Sequence, residues 1–372
     1  MSFNVRGLGT AVPAQRIDQG QAARLATTLV NDGQDRTRLL STLYRRASVR
    51  FRHSVVLDSS GPGVDVGQTF YPPARDKHDR GPTTAERMKR YDAEAGPLAV
   101  EASRCALADA GVGAGEVTHL ITISCTGFAA PGVDMTLIQD LGLPPGVSRT
   151  HVGFMGCHAA LNAMKVASAI TEADPMACVL LCAVELCTLH QQYGWDPDRI
   201  VANSLFSDGA AAILGVGESR RAAADGGART GERPKLLASG STRLSETSGF
   251  MTWTIGDHGF EMTLAPQVPD ALRDHLRDWV DGWLGGCGMS VDQVGSWAIH
   301  PGGPRILSAC AQVLGLSPED LAHSRYVLEN FGNISSPTLL FILERLLQVD
   351  APRPWLLLGF GPGLAIESVL LG

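Results

Sequence analysis

Two distant stretches of the chain follow one plan, and that repeat constrains the fold more than any other feature. "VLLCAVE" followed by "SDGAAAILG", and "WLLLGFG" followed by "GLAIESVLLG" at the end of the chain, are each an apolar strand, a glycine-containing turn and a second apolar strand carrying small residues. Ahead of them the order of elements partly recurs. In the first half a helix over "TAERMKRYDAEAGPLAVEASRCALADA", ended by Gly111, precedes the strand "VTHLITISCTG", the helix "DMTLIQDLG" and an Ala-rich helix near Cys157. In the second half the helix "PDALRDHLRDWVDGWLGGCG" precedes the strand "GSWAIHPGG" and the helices "PRILSACAQVLG" and "SSPTLLFILERLL". Helices alternating with short apolar strands predict a layered α/β fold. The polar, Gly-rich stretch "GESRRAAADGGARTGERPK" is the expected surface connection, dividing the chain into halves at 1–232 and 233–372. A duplicated unit of this kind commonly places its site where the halves meet.

Composition excludes several classes. Hydrophobic residues at 44% and charged residues at 19% belong to a globular chain, and a net charge of -7 argues against general nucleic-acid binding. No run approaches the length of a membrane span, and the opening lacks a basic segment followed by an apolar one. Eight cysteines without a C-x-x-C pair predict neither a zinc site nor a disulfide framework, so a reducing cytoplasm is expected. Cys178 and Cys182, inside "ACVLLCAVEL", read as core residues of a buried strand.

Cys157 differs from these. It follows Gly156 in "HVGFMGCHAALNAMK" and opens an apolar run with no proline before Pro175, which predicts a helix start at or near it. Unpaired N–H groups and the helix dipole favour negative charge there, so the thiol is expected to ionise more readily than an ordinary cysteine. Taken alone, the residue fits a buried structural cysteine as well. A nucleophilic thiol needs a base. His300 ends "GSWAIH" at a strand terminus, and the chain turns at once through Pro301, Gly302 and Gly303. His158 is a poorer partner because successive helical residues point about 100° apart. Asn333, in "ENFGNISSPTLLFIL", is either a turn or cap residue, with Ser335 the other capping candidate, or a donor to an oxygen that gains negative charge.

Together "GFMGCHAALNA", "WAIHPGGPRIL", "ENFGNISS" and "GFGPGLAIE" resemble the type III polyketide synthases of the bacterial type, chalcone-synthase-like enzymes of the thiolase superfamily. The likeness runs over nearly the whole chain in the same order. It implies a thiolase-like fold of duplicated αβαβα layered halves, with nucleophile Cys157 in the first half and catalytic His300 and Asn333 in the second. Phe206, in "SLFSDG", matches a gatekeeper phenylalanine, and Met262 stands at the second gatekeeper. Gly359, Phe360, Gly361, Pro362 and Gly363 match the loop that shapes the cyclisation chamber. Trp253 stands where plant enzymes have a pocket glycine, and Cys125, Cys187 and His190 where they have threonines. Ser335 is a further pocket residue, and Ala130 occupies the place of a methionine that family dimers push into the partner's cavity. Arg45, Arg46, Arg50 and Arg52 lie near where family members place cations for coenzyme A phosphates.

The implied chemistry loads an acyl-CoA starter on Cys157, extends it by decarboxylative condensation with malonyl-CoA, and cyclises the chain to a resorcinol, phloroglucinol or pyrone. It implies a homodimer and no metal or redox cofactor. Trp253 is expected to fill space that a bulky starter would use, with Met262 and nearby small residues reopening it in another direction, so a small or medium aliphatic starter is expected. Two alternatives remain: a ketoacyl-ACP synthase III-like enzyme that needs a carrier protein, and a non-catalytic thiolase-fold partner subunit. The "GFGPG" ending and Phe206 weigh against the first, and the intact Cys157, His300 and Asn333 against the second.

Overall fold

The computed structural model describes residues 3–59, 66–224 and 233–372. Two mixed sheets organise it. The first has five strands in the order Asn4–Ala11, Asp208–Val216, Cys178–Leu186, His119–Ser124 and Ser148–Gly153. The second has four, in the order Ser296–Ile299, Trp355–Gly361, Ala365–Leu371 and Leu236–Arg243. In both, a parallel pair is followed by two antiparallel pairings, so Ser296–Ile299 and Trp355–Gly361 repeat His119–Ser124 and Cys178–Leu186. Among the described residues Ser148–Gly153 has no counterpart in the second sheet and forms an edge.

Side-chain alternation along the strands sorts the core into layers. Leu120, Leu180 and Val184 face outward beneath the helix Thr84–Ala110. Ile121, Ile123, Val179 and Leu181 face inward onto the helices Ala159–Ala173 and Pro337–Gln348. Leu357, Val369 and Leu371 of the second sheet reach the same two helices from the opposite side. Leu356, Leu358 and Ile366 point away, onto the helices Val268–Gly286 and Pro304–Leu314. The result is five layers, helix, sheet, helix, sheet, helix, which is the thiolase-like αβαβα fold. Truncating a fully buried side chain of the middle layer, such as Leu340, costs about 2–5 kcal/mol.

Local signals account for the boundaries. Thr83 and Glu86 form a capping box at the start of Thr84–Ala110, and Gly111 ends it in the left-handed conformation. Cys178 and Cys182 are buried in the outer core as the sequence predicts. Of the expected connection, Glu218–Ala224 is helical, and residues 225–232 lie outside the described residues. Among the described residues no helix is long and apolar enough to cross a membrane.

Several elements were not read from the sequence: the strands Asn4–Ala11, Ser148–Gly153 and Leu236–Arg243, the helices Gln19–Thr27, Thr37–Arg46 and Pro197–Leu205, and the hairpin Met251–Gly256/Gly259–Leu264. The hairpin alternates apolar and polar residues, and Ser148–Gly153 is exposed over four of its six residues, so neither shows a continuous apolar run.

Candidate active site

Cys157 sits in a short 3-10 turn, Gly156–His158, that leads directly into the middle-layer helix Ala159–Ala173. Gly156 has φ +76°, and a Cβ there would lie 2.4 Å from Pro362 Cδ, so only glycine fits. Its N–H donates to Cys125 Sγ at 3.1 Å. Phe154, Ser335 and Leu364 are non-glycine residues that also have positive φ, so backbone strain gathers around this turn.

Helix-start activation does not dominate here. Burial pushes the Cys157 thiol up to about 12, hydrogen bonding from the Ser335 and Asn333 side chains draws it down, and the nearby Glu185 carboxylate raises it. Burial of the thiol opposes the ease of ionisation expected at a helix start.

His300 follows the strand Ser296–Ile299, and its N–H donates to Leu358 O at 2.8 Å. Its ring is buried with neither nitrogen bonded. Burial, and then the charge of His158, push its pKa down to about 3. Burial thus works against charge on both Cys157 and His300. Leaving a buried polar group unpartnered costs about 1–3 kcal/mol, and such a group has its hydrogen-bonding capacity free for a ligand.

Asn333 is fixed through its backbone, its N–H donating to Leu205 O and its carbonyl accepting from Ser207 N–H, both at 2.9 Å. Its Oδ1 accepts from Ser335 N–H at 2.8 Å, which leaves the NH2 group to reach Cys157. Neither Asn333 nor Ser335 caps Pro337–Gln348; Ser336 holds that position and makes no side-chain cap.

A cavity of ≈ 30 Å³ joins most of the expected pocket, lined by Cys125, Cys157, Cys187, Phe206, Trp253, Met262, Ser335 and Pro362 among others. A second, of ≈ 20 Å³, shares Cys187, Phe206, Trp253 and Met262 and adds His190 and Phe260. Trp253 and Met262 are cross-strand partners in the hairpin and both line the two cavities. Trp253 Nε1 anchors the hairpin by donating to Cys125 O at 2.7 Å. His190 is part of the pocket wall: Nδ1 accepts from Phe260 N–H at 3.0 Å, Nε2 donates to Thr126 O at 2.6 Å, and the ring stacks 4.1 Å from Phe260. Burial pushes its pKa down to about 3.

Sequence reasoning missed Glu185. The end of the buried strand Cys178–Leu186 carries it to the floor of the site, where Cys125 N–H, Thr126 Oγ1 and Ser336 Oγ donate to its carboxylate. Burial pushes its pKa up to about 7. A lone carboxylate in the apolar run "CVLLCAVEL" was the available signal.

The expected cyclisation loop is mostly strand. Gly359, Phe360 and Gly361 belong to Trp355–Gly361, and only Pro362–Leu364 turns, with Gly363 at φ +74°. Phe360 faces the outer core and lines neither cavity, a correction to its expected place. The expected arginine cluster splits as well. Arg46 lines a cleft of ≈ 240 Å³ with Gly302, Gly303, Pro304 and Arg305, beside His300 in sequence. Arg45 and Arg50 line a different groove with Arg325 and Glu329. Arg52 is buried and donates to Asn203 O at 2.5 Å and Phe206 O at 3.1 Å, so it is a structural arginine. Ala130 is exposed beside Pro131 and lines neither cavity of the single chain.

The profile of chalcone and stilbene synthases, N-terminal domain, matches residues 3–218, and that of the C-terminal domain matches residues 235–372. The alpha-pyrone synthesis polyketide synthase-like Pks18 of Mycobacterium tuberculosis is 32% identical over 372 residues, covering 98% of this chain and 90% of the relative. The 1,3,6,8-tetrahydroxynaphthalene synthase of Streptomyces peucetius subsp. caesius is also 32% identical, covering 99% of this chain and 92% of its own. The crystal structure of PKS-I from the brown alga Ectocarpus siliculosus superposes with a TM-score of 0.88 at 27% identity, covering 100% of this chain and 98% of that one. The chain belongs to the chalcone and stilbene synthase family and is a type III polyketide synthase of the bacterial type, a decarboxylating condensing acyltransferase.

Proposed function

We propose that Cys157, His300 and Asn333 carry the condensation on a short acyl chain. His300, neutral at rest, takes the Cys157 proton as the sulfur attacks the starter thioester, and coenzyme A leaves as the acyl group passes to Cys157. The free nitrogens of His300 and the Asn333 NH2 then hold the thioester oxygen of malonyl-CoA. Carbon dioxide leaves, and the electron pair of the broken C–C bond becomes the enolate whose oxygen these donors stabilise. One well-aimed donor is worth about 3 kcal/mol. The enolate carbon attacks the Cys157 thioester and releases the cysteine thiolate for the next round. No metal or redox cofactor enters these steps.

The observation that carries this reading is the buried, doubly unpartnered His300 ring beside a turn whose cysteine is reached by Asn333. Arg46 and Arg305 flank the cleft next to Gly302 and Gly303 and are the cations assigned to coenzyme A phosphates. Trp253, which lines the cavity beside Cys157 and is anchored to Cys125 O, supports a small or medium aliphatic starter. Among resorcinol, phloroglucinol and pyrone products a pyrone is the one favoured, because the mycobacterial relative is named for alpha-pyrone synthesis.

The duplicated strand order supports two halves, at 1–232 and 233–372. A homodimer is supported by the exposed edge Ser148–Gly153 and by exposed Phe128, Phe154 and Met155 close to the site. Eight free cysteines fit a reducing cytoplasm. Mass spectrometry of products from malonyl-CoA and a panel of acyl-CoA starters, beside Cys157→Ala, tests the reading. Products lost in the variant support it, and turnover that requires a malonylated carrier protein overturns it.

A further inference from the structure

The pocket wall at His190 is a short 3-10 turn, Cys187–His190, and its carbonyls are taken up by side chains that arrive from behind the pocket. Tyr71 Oη donates to Thr188 O at 2.8 Å. Arg87 Nη1 donates to Leu189 O at 2.8 Å and to Gln191 O at 2.9 Å, the carbonyls on either side of His190, and its Nε donates to Pro82 O at 2.9 Å. Gln192 Nε2 donates to His190 O at 3.2 Å and to Phe260 O at 3.1 Å, which ties the turn to the Met251–Leu264 hairpin. The fully buried Arg87 guanidinium also packs on the hairpin's own turn. A Cβ on Gly259, which has φ +99°, would lie 2.6 Å from Arg87 Nη1 and 2.8 Å from Cζ, so conformation and space both require glycine there. Thr84, one helical turn before Arg87, accepts from Gly259 N–H on Oγ1 at 2.9 Å and donates its own N–H to Asp257 O at 2.8 Å.

We infer that Arg87, together with Gln192, is a positioning residue that sets the length of acyl chain the pocket accepts. The inference deepens the short-starter reading above and rests on it. Arg87 lines neither cavity and acts through the wall it grips. His190 and Gln192 of the gripped segment line the second cavity with Trp253 and Met262 of the hairpin. The His190 ring stacks 4.1 Å from Phe260 and meets Trp253 edge-on at 5.5 Å. One guanidinium that holds the carbonyls beside His190 and the turn before Phe260 therefore holds the ring stack that backs Trp253. Its planar fork reaches several carbonyls at once, which a lysine ammonium on a flexible stem does not reproduce. Without these donors the buried carbonyls of residues 189, 190, 191 and 260 lose their partners. Water entering to satisfy them parts the turn from the hairpin, and the backing of Trp253 yields to a longer chain.

The test offers hexanoyl-CoA and lauroyl-CoA together, with malonyl-CoA, to the full-length wild type, Arg87→Lys and Gln192→Leu, and reads the ratio of lauroyl-derived to hexanoyl-derived products by mass. Gln192→Leu nearly keeps the side-chain volume and guards against an Arg87→Lys chain that fails to fold. Leu284→Ala, which truncates a fully buried side chain of the outer core, controls for lost stability alone. Both wall variants should raise the ratio about tenfold, the discrimination that about one methylene carries in an apolar pocket. Leu284→Ala should lower the Tm and leave the ratio in place. A ratio that falls, or stays within about twofold of wild type, in either folded wall variant overturns the inference, and so does a rise that Leu284→Ala matches, since that marks a merely structural role. A wild type that already prefers lauroyl-CoA overturns the short-starter reading instead, because the inference is read from the change relative to wild type.

Discussion

Replacing Glu185 by glutamine removes a buried charge while keeping an acceptor for Cys125 N–H, and its effect is calculable. The carboxyl is raised from 4.5 to about 7, chiefly by burial. Below about 4.5 it is protonated in both folded and unfolded chains and contributes no pH dependence. From about 4.5 to 7 the unfolded chain loses its proton first, so folding stability falls as pH rises, and above 7 the loss is complete. A rise of about two and a half units, at ~1.4 kcal/mol each, is worth ~3 kcal/mol. With an unfolding entropy of ~2.1 cal/mol/K per residue over 372 residues, that corresponds to roughly 4 °C in Tm. Thermal unfolding of both proteins at pH 4.5 and pH 8 therefore isolates the effect, since any pH-independent cost of glutamine cancels in the difference. The Tm of Glu185→Gln relative to wild type should be about 4 °C more favourable at pH 8 than at pH 4.5. A relative Tm constant within 1 °C across that window would refute the claim that Glu185 keeps its proton to near neutrality.

Other outcomes follow from the same geometry. Trp253→Ala merges the two small cavities it separates and should raise kcat/KM for a long-chain over a short-chain acyl-CoA by about tenfold, read as product masses from mixed starters. Gly361→Ala drives a methyl into the His158 ring and should cost at least ~100-fold in product formation; Gly361→Ala/His158→Ala should recover part of it, because the clash is with that ring. Arg46→Glu should raise KM for malonyl-CoA about tenfold with kcat little changed and with strong salt dependence, whereas Arg45→Glu, in the other groove, should leave KM in place.

Much of the fold was legible because its strands are buried on both faces. "VLLCAVE" and "WLLLGFG" are continuous apolar runs, and the structure makes them corresponding strands of two sheets. The Met251–Leu264 hairpin, which supplies Trp253 and Met262, was read residue by residue from the resemblance but not as a hairpin, since its exposed alternation carries little apolar signal. The site was legible in residue type and not in charge state. Helix position speaks for an ionised Cys157, while burial, which a linear sequence does not display, works against it. His158 was set aside as a partner of Cys157 on angular grounds, and those grounds say nothing of a strand arriving from residues 358–361.

The middle helix layer also governs how the protein is made. Ala159–Ala173 is covered on one side by strands of the first half and on the other by Leu357, Val369 and Leu371, which lie far later in the chain. Until they arrive, that apolar helix face has nothing to cover it. A chain truncated before Trp355 should accordingly aggregate rather than persist as a folded first half, and the nucleophile's turn, which packs Pro362 against Gly156, should acquire its shape only after Pro362 has been synthesised.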